Sequence, residues 1–280
     1  MNMKRMRGIA FSAWLCAAFL SFTGSVRGVG VTLTNATATF SQNVPFSCSV
    51  ALAIDGIVTN NPNVSAGWAI GLDTGATRGL GEIAAFETVT NIGGWSGGTF
   101  TFTLTQAYVC TPFNALIGRF RLSATTNDRS TFSDGLISNG DVDTSWAVLN
   151  ISSATTANGG VLVLQSDNSL LLTNNLYTNA SYWTPTTEVY TITASTLMTN
   201  ITGIRLETML DASLPRFDGS GPGAGGGPGT YALNGSFILS EFTVDYVSSA
   251  VPEPSTLSLL GVGGLLLWGC RGRRQGQRPT

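Results

Sequence analysis

An aspartate and a tryptophan are the pair in this sequence best suited to hold a ligand. Asp55 stands in Ala53-Ile-Asp-Gly56 and Trp68 in Gly67-Trp-Ala-Ile70. A carboxylate in a loop accepts hydroxyl hydrogen bonds or ligates Ca2+, and an indole stacks on the C–H face of a sugar. The plainer reading of the same residues gives Asp55 a turn to cap and Trp68 a place in the core. Asp141 and Asp143 also suit Ca2+, although no third ligand follows in EF-hand spacing. Other chemistry is harder to build. The chain has no histidine, which removes the commonest general base, the Ser–His pair and the commonest metal ligand. Gly223–Gly229 holds no Gly-Lys-Ser/Thr and is not a phosphate loop. A hydrolase built on two carboxylates stays open, but nothing in the sequence singles out two acids for the work.

Four cysteines reduce to two, Cys48 and Cys110, once the apolar segments at both ends are set aside. In an exported protein these would meet an oxidising compartment, which predicts a Cys48–Cys110 disulfide, with two separately buried thiols as the alternative. A bridge closing a loop of that length would contribute about 4 kcal/mol in the chain-entropy description. A zinc site is excluded by ligand supply.

Charge is sharply partitioned. Residues 29–250 hold six arginines, no lysine and fifteen acids, a net of −9, whereas both ends are basic. A nucleic-acid partner is excluded, because phosphate neutralisation needs the opposite balance. Only 11% of residues are charged, under half the usual fraction, yet 43% are apolar, so the chain has material for a core.

Residues 1–28 read as a signal peptide. Lys4, Arg5 and Arg7 lead into an apolar run from Ile9 to Phe22, and small residues follow up to Gly28. At the other end Val251, Pro252, Glu253 and Pro254 precede an apolar stretch, 256–270, and then Arg271, Arg273 and Arg274 in a basic tail, 271–280. As a helix the stretch would be about 22 Å long, short of the roughly 30 Å hydrocarbon core. It is also rich in glycine (Gly261, Gly263, Gly264, Gly269). A weak transmembrane helix with a basic stop suits a temporary anchor whose tail stays cytoplasmic. This three-part tail, 249–280 with its motif at 252–254, resembles the PEP-CTERM sorting signal. The resemblance implies an exosortase substrate, handled first by the Sec translocon and signal peptidase, held briefly in the inner membrane, and then delivered to the cell surface or extracellular matrix.

The elements between these addresses alternate with period two. Phe100, Phe102 and Leu104 share one face of Thr99–Thr105, with threonines on the other, and Phe242, Val244 and Tyr246 share one face of Glu241–Tyr246. Arg119–Leu122 and Ile204–Glu207 alternate likewise, which puts Arg121 and Arg205 outward, solvated or ion-paired. Gly, Asn, Asp and Ser clusters separate the strands, so the fold class is all-β, in antiparallel sandwiches. An echo between Ile117-Gly-Arg-Phe-Arg-Leu122 and Ile201-Thr-Gly-Ile-Arg-Leu206 predicts two β-sandwich modules, 29–127 and 144–248, joined by a Ser-, Asp-, Asn- and Gly-rich linker, 128–143.

The first half resembles a discoidin-type, galactose-binding-like jelly roll through Ala38–Gln42, Ala53–Gly56, Gly67–Ile70, Ala85–Thr88, Thr101–Leu104 and Ile117–Leu122. The second, through Ile201–Glu207, Ser213–Pro215, Gly221–Gly223 and Asn234–Glu241, is similar to segments that accompany such modules in exported bacterial proteins. The resemblance implies loops at one end of the sandwich holding a ligand or a structural Ca2+, here Asp55 and Trp68. The combined expectation is a non-enzymatic surface or matrix protein with surface polysaccharide as a candidate partner. No cofactor is required, and the ligands of any metal stay unassigned. A carboxylate-based glycan hydrolase and a plain membrane-anchored structural protein are the alternatives.

Overall fold

The computed structural model describes residues 28–249 apart from 44–46, 60–65, 71–79, 95, 111–112, 174–186, 218–221, 224–225 and 232–233. The predicted signal helix, the sorting motif, the predicted transmembrane helix at 256–270 and the basic tail lie outside the described residues. Among the described residues no helix is long and apolar enough to cross a membrane.

Among the described residues eighteen strands follow one another: β1 Val29–Gly30, β2 Leu33–Ala38, β3 Trp68–Ile70, β4 Ile83–Ile92, β5 Gly98–Gln106, β6 Val109–Cys110, β7 Phe113–Asn114, β8 Arg119–Thr125 and β9 Ala147–Val148. Then come β10 Asn150–Thr156, β11 Val161–Leu164, β12 Leu170–Thr173, β13 Glu188–Thr196, β14 Ile201–Thr208, β15 Arg216–Phe217, β16 Pro222–Gly223, β17 Phe237–Leu239 and β18 Glu241–Ser248. Two short 3-10 turns, Val50–Ala53 and Arg129–Thr131, are the described helical elements. The all-β expectation holds, and every pairing between the described strands is antiparallel.

The two-module expectation does not hold, because each large sheet draws on both halves of the chain. One sheet runs β1-β18-β5-β13-β10, and the other, of seven strands, runs β11-β12-β8-β14-β4-β2 with β9 also paired to β8. β5 lies between β13 and β18, with Phe102 opposite Ile192 on one side and Val244 on the other. The two sheets meet in one continuous core, with Phe86 5.2 Å from Phe242 and Phe120 stacked on Tyr190 at 6.0 Å. The internal echo has a local explanation. β8 and β14 are neighbours in one sheet, with Leu206 opposite Leu122 and Glu207 opposite Arg121, so similar strands face similar surroundings.

Nor are residues 128–143 a linker. Phe132 is fully buried, packs with Ala85, Val142, Ile83 and Trp146, and lies where a methyl group on Gly203 would come within 2.5 Å of its ring. The Ala38 N–H donates to the Leu136 carbonyl (2.9 Å) and the Gly135 N–H to Thr37 Oγ1 (2.8 Å). The segment is a strap over the outer face of the seven-stranded sheet. Its Asp and Ser residues serve turns: Asp128 caps the Arg129–Thr131 turn, and Asp134 accepts from the Leu136 and Asp141 amides.

Strand alternation is clean where the sequence is. Phe100, Phe102 and Leu104 are buried while the threonines between them are half-buried, and Phe242, Val244 and Tyr246 turn inward. β3 depends on a glycine before it. Gly67 has φ +135, and a methyl group there would fall 2.1 Å from the Leu239 carbonyl oxygen, so only glycine lets β3 run beside β17.

Candidate functional site

β1 covers only part of the open edge of β18. Val29 and Gly30 pair with Tyr246 and Asp245, the Val31 N–H donates to the Val244 carbonyl (2.8 Å), and the chain then leaves for β2 in the other sheet. The uncovered stretch opens a cleft of about 450 Å³ between Gly30–Leu33, Ile54–Gly56 and Glu241–Asp245. The turn carrying Asp55 closes one end. The Ile57 N–H donates to Asp55 Oδ1 (2.8 Å), fixing that turn, and the Gly56 N–H donates to Glu241 Oε2 (3.0 Å), tying it to β18.

Glu241 is the functional candidate that the sequence did not single out. Burial pushes its carboxyl above the usual glutamate range, the Gly56 N–H opposes that shift, and the nearby Asp55 adds to it. Two carboxyls side by side in a cleft can accept hydroxyl hydrogen bonds, and one whose pKa burial raises is suited to proton transfer. Along β18, Glu241 falls on the outward phase of the alternation. Its burial comes from a turn 185 positions away in sequence, and no local pattern marks that.

Asp55 and Trp68 are not brought together as a ligand site. Trp68 is 0% exposed, its Nε1–H donates to the Phe40 carbonyl (3.0 Å), and its ring meets Phe237 edge-on at 5.1 Å. An indole enclosed on all sides offers no face to a sugar, so the structure corrects this expectation: Trp68 is core, and Asp55 alone lines the cleft. Of the calcium candidates, Asp141 is tied into local turns. Asp141 Oδ1 accepts from the Asp143 N–H (2.9 Å), and the Asp141 N–H donates to Asp134 (3.0 Å). Among the described residues no three His, Cys, Asp or Glu side chains are grouped to hold a metal.

The remaining acids and arginines knit the sheets. Glu207 Oε2 accepts from Arg121 (2.7 Å) and Arg205 (3.3 Å) on the outer face of β8 and β14, and Arg205 lies over the Trp146 ring at 5.3 Å. This is the ion-paired placement that the alternation predicted. Arg119 bridges Asp167 (3.0 Å) and Asp211 (3.3 Å). Glu188 is buried and accepts from the Ala157 amide (2.8 Å). Cys48 is buried among Ala66, Ala69, Ala115 and Ile238, with Tyr108 packed against them. Tyr108 and Ala115 flank the β6–β7 ribbon that contains Cys110, whose side chain lies outside the described residues.

The comparisons with known proteins speak to the tail. Residues 250–274 match the PEP-CTERM protein-sorting motif, the stretch that holds Val251, Pro252, Glu253, Pro254, Arg271, Arg273 and Arg274. The chain therefore carries the sorting signal of an exosortase substrate, which implies export to the cell envelope or surface and processing by an exosortase-like enzyme. No curated protein matches the chain. Among solved structures, a beta-galactosidase of Streptococcus pneumoniae, BgaA, aligns with a TM-score of 0.39 and 10% identity over 79% of this chain and 92% of that one.

Proposed function

We propose that this chain is a non-enzymatic, exported surface or matrix protein. One β-sandwich is carried to the envelope by a cleavable signal, held briefly in the inner membrane by its tail, and released by processing near Pro254. The observation that carries the reading is the placement of the sorting signal. It begins at residue 250, directly after β18 ends at Ser248, while β1 begins at Val29, where the signal peptide is expected to end. The folded domain thus fills the interval between two addresses. Signal peptidase, the Sec translocon and an exosortase-like enzyme are its processing partners, and surface polysaccharide is its candidate ligand. The discoidin-like segments support this binding role. So does the Asp55–Glu241 cleft, where carboxylates can accept sugar hydroxyls, with or without Ca2+.

The raised pKa of Glu241 beside Asp55 favours a second reading, a carboxylate-based glycan hydrolase. A glycan array probed with mature protein, with and without Ca2+, followed by turnover assays on every hit, separates the two. Retention without turnover supports the binding reading. Release of reducing ends that is lost in Glu241→Gln would overturn it in favour of the enzyme.

A further inference from the structure

The sandwich has one pole from which its tail departs. Val29 pairs with Tyr246, which places Gly28 beside Val247, and the Ser249 N–H donates to the Gly97 carbonyl (2.9 Å). The same pole holds the turn between β4 and β5 and the turn between β13 and β14, because Ser248 is opposite Gly98, and Thr196 is opposite Gly98 from the other side. Gly93, Gly94, Thr199 and Asn200 line a shallow hollow of about 390 Å³ there.

Two features set this pole apart. Gly93, Gly94, Ser96, Gly97, Leu197–Asn200, Ser248 and Ser249 carry no charge. The nearest charged side chains just past β8 are one of each sign: exposed Asp128 accepts from the Ser130 N–H (2.9 Å), and Arg129 donates to the Thr88 carbonyl (2.7 Å) and to Asn91 (2.9 Å). Leu197 stands 88% exposed at a turn, with Val29 at 73%. Scattered exposed apolar side chains are ordinary; these stand where the chain leaves for its apolar stretch. Only residues 250–255 separate Ser249 from Thr256, and six residues reach at most about 22 Å. The headgroup layer takes up several ångströms of that, so a tail in the bilayer holds this pole within roughly 15 Å of the membrane surface.

We propose that this pole rests on the lipid bilayer while the tail spans it, with Leu197 entering the interfacial layer and the Asp55–Glu241 end of the sandwich turned away from the membrane. The partner is lipid itself. A net −9 domain is repelled least by anionic headgroups where its turns carry no charge of their own, so the short tether and the charge agree at this pole. The inference rests on the reading of 256–270 as a membrane span.

The test uses the full chain with Pro252, Glu253 and Pro254 each replaced by Ala to block processing. It is reconstituted into phosphatidylcholine vesicles and compared, by hydrogen–deuterium exchange, with processed protein in solution. Amides of residues 197–200 are expected to exchange about tenfold more slowly on vesicles, the protection that burying one leucine side chain would give. Residues 55–58, at the other end and including Ile57 at 62% exposure, should not change. Leu197→Ser should remove the slowing while the protein still floats with the vesicles. Flotation without protection at 197–200, or equal protection at 55–58, overturns the inference and leaves the anchor reading standing. Failure to float overturns both.

Discussion

Replacing Phe102 with alanine tests whether the two halves of the chain are one folding unit. Its ring is fully buried on β5, the middle strand of the five-stranded sheet. It lies 5.3 Å from Phe100 and stacks on Phe242 at 5.9 Å. Its neighbours across the strands, Ile192 and Val244, belong to the second half of the chain. Losing a fully enclosed phenyl group costs about 3–5 kcal/mol. With aromatic contacts on two sides lost, about 4 kcal/mol is the expected value. A domain of this size shifts its Tm by roughly 2–4 °C per kcal/mol, so Phe102→Ala should melt about 8–16 °C lower. The assay is calorimetry on mature exported protein. A single sandwich gives one endotherm whose calorimetric and van't Hoff enthalpies agree, and the substitution should move it as a whole. Two endotherms, with only one displaced, would refute the single-core reasoning.

Four further outcomes are expected. Glu241 and Glu82 both have carboxyl pKa values raised by burial. Their contribution to stability is therefore full below the unfolded value near 4.5 and is lost as pH rises through the folded values. Urea titrations should accordingly show Glu241→Gln gaining on wild type as pH rises from 4 to 7, and a constant difference would contradict this. Glu207→Ala leaves Arg121 and Arg205 without their shared carboxylate and should cost about 2 kcal/mol by the same titration, whereas a change under 0.5 kcal/mol would show the cluster to be solvated. Gly203→Val drives a side chain into the Phe132 ring; limited proteolysis is expected to show faster cleavage within 128–143, and unchanged cleavage would dismiss the strap. Non-reducing digestion of exported protein should yield a linked Cys48–Cys110 peptide pair, and two freely alkylated thiols in native material would rule the bridge out.

The strands were legible because their alternation is local. Thr99–Thr105 and Glu241–Tyr246 point inward and outward in the structure as their residue types require. Pairing was not legible. Nothing in Phe100-Thr-Phe-Thr-Leu104 says that its partners lie near residues 190 and 243, since period two fixes a face but not a neighbour. The resemblance of β8 to β14 was real, but similar strands side by side in one sheet leave the same trace as repeated domains. In sequence the strap reads as a linker because its turn-forming Asp, Asn and Ser outnumber the one phenylalanine that anchors it. The cleft was half visible. Asp55 announced its turn, whereas Glu241 acquires its burial only when that turn folds onto β18, and Trp68 looks the same in sequence whether it faces a sugar or Phe237.

If the sorting signal frees one exported sandwich from its tail, the mature protein is shorter than its precursor at both ends. Intact-mass measurement of the mature protein recovered from the cell surface tests it most directly. The expected mass begins near Val29 and lacks Arg271–Thr280, and alanine at Pro252, Glu253 and Pro254 should leave a heavier, membrane-bound form. A mature surface protein that still carries Arg271–Thr280 would contradict the claim and make the tail a permanent anchor.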